Sequence, residues 1–171
     1  MSGIVRRSLP QYVLADFINC GAVMNWLMSS PSQKLGLLIL RVSLAGLIFW
    51  WGLVKGLNTG TGVNVSNAYY GGVFSTEVLL IVFGWAQVAL AILVAIGLFR
   101  AITLPIMFVI NAFVAAAVWY SIIDPFWLFA SGEKPPTHNA LFYPSLIVAA
   151  GCWVIMAFRD SDTYALDAKR G

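Results

Sequence analysis

Histidine occurs once in this sequence, at position 138, and cysteine twice, at 20 and 152. One histidine excludes haem held between two histidines of the chain. A lone His with no cysteine or carboxylate at metal spacing is a poor zinc ligand, so no metal site is expected. The cysteines lie far apart and form no CxxC, which suggests neither a disulfide framework nor a zinc site. Charge is scarce too: ten Lys and Arg and seven Asp and Glu make up 10% of 171 residues, where a soluble domain carries roughly 25%. The basic residues are scattered rather than gathered in a stripe, so the net charge of +3 is no nucleic-acid footprint. No nucleophile elbow, phosphate loop, zincin helix or haem-attachment motif occurs. An arginine pair at 6 and 7 is followed by no apolar core of signal-peptide length, so the first hydrophobic span is expected to stay in the mature protein.

Apolar residues are abundant instead. They make up 60% of the chain, and the mean hydropathy is +0.85. A bilayer-spanning helix needs about 20 mostly apolar residues, and four stretches qualify, at about 35–57, 77–99, 101–123 and 140–158. Spans two and three meet at Arg100 with almost no loop, which predicts a tight antiparallel hairpin. Pro105 and Pro144 are expected in first helical turns, where a missing N–H costs little. Residues 9–28 mix Val13, Phe17, Met24 and Leu27 with Asp16, Asn19 and Asn25, a pattern for an amphipathic helix on the membrane surface, with a frayed tail as the alternative. Arg6, Arg7, Lys34, Arg100, Arg159, Lys169 and Arg170 all fall on the side of the termini, which the positive-inside rule makes cytoplasmic. The expected fold is therefore an all-α integral membrane protein: an N-terminal interfacial segment (1–34), a four-transmembrane-helix bundle (35–158) and a cytoplasmic tail (159–171). The uncharged segment 58–76 is expected as an external loop covering the bundle mouth.

The first span, LRVSLAGLIFWWGLVKG at 40–56, contains two cations. Arg41 and Lys55 lie about 40° apart around a helix and roughly 21 Å apart along it. They share a face with Ala45, Ile48 and Gly52, and small residues on such a face suit helix packing inside a bundle. For Lys55 the expected partner is Glu77, in an ion pair at the helix ends. Two readings of Arg41 stand open. It snorkels to lipid phosphate or to a tail carboxylate (Asp160, Asp162 or Asp167), or it anchors an anionic or carbonyl group of a ligand. Gln87 and Asn111, near mid-span, either hydrogen-bond across helices or line a cavity for a flat headgroup with Trp50, Trp51, Trp85 and Trp119. Gly52-x-x-x-Gly56 matches a close-packing motif. In the loop 124–139, the run Phe126–Phe129 is expected to dip into the outer leaflet or cap the bundle, and His138 reads as a surface residue or a proton carrier.

Arg41 and the stretch Trp51-Gly52-Leu53-Val54-Lys55, with Gly97-Leu98-Phe99-Arg100 and the tail from Asp160 to Asp167, resemble the DoxX-like family of membrane proteins over residues 36–168. The resemblance implies a four-helix protein of a bacterial or archaeal-type plasma (inner) membrane. Its relatives include the membrane subunit of thiosulfate:quinone oxidoreductases, and no settled catalytic residues come with it. Three functions follow as expectations. The chain is an accessory membrane subunit of a larger redox or respiratory complex, with lipids and a larger protein as partners and no catalysis of its own. Alternatively, it binds a quinone through Arg41, Gln87 and Asn111, with Trp51 stacked on the ring. The third is a small transporter, for which neither a discontinuous helix pair nor an inverted repeat is visible.

Overall fold

The computed structural model describes Trp26 and residues 29–72, 75–124 and 143–169. The described residues form helices and connecting turns, without a strand. Six α-helices follow in order: α1 (Ser30–Leu57), α2 (Thr59–Tyr69), α3 (Glu77–Ile96), α4 (Arg100–Ala117), α5 (Trp119–Ile123) and α6 (Tyr143–Ala157), before two 3₁₀ turns at Arg159–Ser161 and Leu166–Lys169. The expected surface helix at 9–28, apart from Trp26, lies outside the described residues, as do His138 and the run at 126–129.

Three of these helices, α1, α3 and α4, are long and apolar enough to cross a membrane, and α6 is a shorter apolar helix of 15 residues. Large side chains such as Ile39, Trp50, Val82, Ile92, Phe113 and Trp153 point outward. A surface this apolar suits a bilayer as solvent. Inward faces follow helical periodicity. On α3 the buried stripe is Leu80, Gly84, Gln87, Val88, Ala91 and Val94, and on α6 it is Ser145, Val148, Ala149, Gly151, Cys152 and Ile155. Ile48, Leu104, Met107, Val148, Cys152 and Ile155 meet in the core.

The α3–α4 turn is as short as expected, but the two helices do not form a tight hairpin. Helix α3 packs chiefly on α1 and α4 chiefly on α6, while α1 also touches α6. Glycine decides the first of these pairings. A Cβ on Gly52 would stand 2.7 Å from the Gly84 carbonyl oxygen, and one on Gly84 would stand 2.6 Å from the Gly56 nitrogen. The backbones of α1 and α3 can approach this closely only without side chains there.

Three further expectations change. Pro105 lies inside α4 rather than in its first turn, whereas Pro144 is the second residue of α6. The helix expected over 101–123 breaks at Val118, and the short α5 continues beyond it to Ile123. The segment expected as a loop at 58–76 contains α2. Its Thr, Gly, Asn and Ser residues are weak helix formers, but the Asn58 side chain accepts from the Thr61 N–H, and α2 packs on both α1 and α3. Tertiary contact outweighs propensity here.

Candidate functional site

Arg41 and Lys55 occupy opposite ends of the bundle and do different work. Arg41 is 1% exposed and pairs with Asp162, which is fully buried. Its Nε donates to the Ala95 carbonyl at 3.3 Å and its Nη2 to the Tyr164 carbonyl at 3.4 Å. Arg100, at the start of α4, joins the same carboxylate: its Nη1 lies 3.2 Å from Asp162 Oδ2 and 2.9 Å from the Asp162 carbonyl oxygen. The tail is further held by Asp167, whose Oδ2 accepts from the Arg100 backbone N–H at 2.7 Å. That bond caps one of the donors α4 leaves unpaired at its N-terminus. Gly97, at φ 71°, fits beneath the tail, since a Cβ there would meet the Ala165 Cβ at 2.5 Å. Of the two readings of Arg41, the geometry therefore favours the tail carboxylate. Three elements are tied together by one buried carboxylate between two guanidinium groups, and Arg41 does not reach the cavity described next.

At the other end lies a cavity of about 540 Å³, walled by α1, α2, α3, α4 and the start of α6. Trp51, Gln87 and Asn111 all line it, and so does Lys55. Trp50, Trp85 and Trp119 face outward instead. Lys55 Nζ donates to Gln87 Oε1 at 2.7 Å and lies 5.3 Å from the centre of the Phe83 ring and 6.0 Å from that of Trp51. Both faces attract a cation. The expected Lys55–Glu77 ion pair is not among those formed by the described residues, and Glu77 is exposed in the first turn of α3. A helical side chain leans toward the N-terminus of its own helix, so Lys55 reaches back into the bundle rather than out to Glu77. Gln87 is thus the interhelical link, between α1 and α3. Asn111 is not such a link, because its Nδ2 donates to the Met107 carbonyl of its own helix at 2.8 Å.

The cavity has further polar residues that spacing did not reveal. Ser145 is fully buried, and its Oγ has no hydrogen-bond partner among the described residues. Tyr70, just past α2, contributes a phenol that burial pushes up to about 12, so it stays neutral across the physiological range. Ser145 stands alone as a hydroxyl after Pro144 in an apolar span, a signal readable beside Gln87 and Asn111. Nothing local marks Tyr70, which arrives only because α2 folds over the mouth.

No protein-family model matches the chain. Neither does any curated protein or any solved structure. Among the described residues, no group of three or more His, Cys, Asp and Glu could hold a metal ion. The cavity offers the Lys55 ammonium, the Gln87 and Asn111 amides, the Ser145 hydroxyl and aromatic walls. Such a set can hold an uncharged or anionic acceptor oxygen on an otherwise apolar molecule. Its volume falls in the range of about 300–1,000 Å³ typical of small-molecule sites.

Proposed function

We propose that this chain is a four-span membrane protein that holds the ring of a quinone in the cavity at the Lys55 end and serves as a membrane subunit of a larger redox complex. One observation carries the reading. Lys55, Gln87, Asn111 and Trp51, from three different helices, converge on one apolar cavity. Lys55 and the Gln87 amide N–H groups suit a carbonyl oxygen, and the aromatic faces suit a flat ring. Ser145 Oγ, buried without a partner, supplies a further donor. A quinone, when bound, accepts electrons and protons. The protein's own residues hold and orient its oxygens and keep the ring away from water. The relationship to DoxX-like proteins belongs to the same proposal, and it rests on Arg41, Gly52, Lys55 and the tail.

The fourth span is α6. Its 15 residues rise about 22 Å, and the apolar residues 140–142 and Phe158 flank it in sequence. Four spans place both termini on one face of a bacterial or archaeal plasma membrane, and the basic residues around them make that face cytoplasmic.

The test is purification from native membranes in mild detergent, with mass spectrometry of extracted quinones and of co-purifying proteins. Quinone retained by the wild type and lost in Lys55→Met and Gln87→Leu, together with a stoichiometric redox partner, is the expected result. Equal quinone content in wild type and both variants overturns the site. A chain recovered alone overturns the subunit role.

A further inference from the structure

A second concavity adjoins the first. Because α3 packs chiefly on α1 and α4 chiefly on α6, with little contact between the two, they leave a groove of about 620 Å³ between them. Ala86, Ala89 and Leu93 on α3 face Ile102 and Ile106 on α4 across it. The groove has almost no free polarity. The Thr103 hydroxyl donates to the Leu98 and Phe99 carbonyls of its own turn at 3.3 and 3.1 Å, which leaves Gln87 as the polar residue of the wall. Ala86, Ala89, Ile102 and Ile106 are also exposed on the outer surface, so the groove opens where the bilayer would lie. Phe83, Gln87 and Ile110 line both concavities. Three residues therefore border both a pocket holding a cation and two amides and a trough fit only for hydrocarbon, and Gln87 marks the junction.

We propose that the groove between α3 and α4 is the binding subsite and lateral entrance for the long hydrocarbon chain of the ligand whose headgroup occupies the Lys55 cavity. This inference rests on the quinone reading above and adds to it the class of ligand: a long-chain amphiphile taken up sideways from the membrane. Two features argue for that occupant over bulk lipid. The groove and the polar cavity meet at Phe83, Gln87 and Ile110, and Lys55, bonded to Gln87, has no carboxylate partner among the described residues, so its charge favours an acceptor-bearing head in the cavity beside the groove. Between Ile102 and Ile110 the trough runs about 12 Å along α4, room for the first units of an isoprenoid chain.

The test uses the full chain in nanodiscs and two quinones with the same ring, one bearing a long isoprenoid chain and one a methyl group in its place. Specific binding is the part lost in Lys55→Met. Ala89→Trp fills the groove from one wall and Ile106→Trp from the other, both at exposed positions where a larger side chain leaves the core untouched. The expected result is a tenfold or greater loss of affinity for the long-chain quinone in each variant, with the methyl quinone binding as in wild type. Unchanged binding of both quinones overturns the inference and leaves the groove to bulk lipid, while the quinone reading stands. Equal losses for both quinones also overturn it, because the ring site would then have been disturbed. No Lys55-dependent binding of either quinone to the wild type overturns the quinone reading itself, and this inference with it.

Discussion

Two cations on one helix meet different fates because of what faces them. Arg41 is matched by Asp162 and two backbone carbonyls, whereas Lys55 is matched by one amide oxygen and two aromatic faces. Removing one partner of a buried ion pair costs about 3–5 kcal/mol. Arg41→Met should fall at the low end of that range because Arg100 still holds Asp162. Lys55→Met removes a half-buried cation from an apolar cavity, so stability should hold or rise while ligand affinity drops at least tenfold. Thermal unfolding in detergent and ligand binding, measured on both variants, check the contrast. Loss of binding with full stability in Arg41→Met would return Arg41 to the ligand site. The shared face of Arg41, Ala45, Ile48, Gly52 and Lys55 was legible from helical spacing alone. The partners were not, because spacing says which way a side chain faces and not which neighbour arrives. Lys55 selects Gln87 over Glu77 through the lean of helical side chains, a detail that charge matching overlooks.

Element pairing turns on glycine. In the sequence Gly52 and Gly56 suggested a close-packed face, and the structure supplies the opposing residue, Gly84 on α3. Forcing atoms into a packed contact costs about 1–3 kcal/mol. Gly84→Val should reach or exceed that, because the obstructing atoms are the Gly52 carbonyl oxygen and the Gly56 nitrogen, both backbone. The same change should weaken ligand binding, since Lys55 and Gln87 meet across this crossing. Gly36→Ala is the control. A Cβ there meets nothing within 4 Å, and alanine is the better helix former, so stability should hold or rise by up to about 1 kcal/mol. Comparing the two unfolding midpoints decides the matter, and equal midpoints would mean that α1 and α3 do not cross at Gly84. Single-element signals of this kind were readable, but the helical state of α2 was not. Its composition is that of a loop, and only its seat against α1 and α3 makes it a helix.

For the molecule as a whole, chain adjacency misled where packing chemistry decides. The near-absence of a loop at Arg100 predicted that spans two and three would pair, but the buried face of α3 turns to α1 and that of α4 turns to α6. What holds the two halves together at the turn is the tail. Asp162 bridges Arg41 of α1 and Arg100 of α4, Asp167 caps α4 and donates its N–H to the Gly97 carbonyl at 3.2 Å, and Ala165 packs on Gly97. Deleting residues 159–171 removes all of these at once and takes from Arg41 and Arg100 their shared counter-ion and the backbone carbonyls that accept from them, where loss of a single buried ion-pair partner already costs about 3–5 kcal/mol. The truncated chain should therefore lose most of its folded population in detergent. Asp162→Ala, which keeps the tail's backbone contacts, should be destabilised less than the truncation and more than Arg41→Met. A truncated chain as stable as the wild type would show that the α1–α3 and α4–α6 pairs cohere through the core alone. The stated order, if observed, would identify one carboxylate as the joint of the bundle and explain how α3 and α4 can stand apart at the groove without the protein coming open.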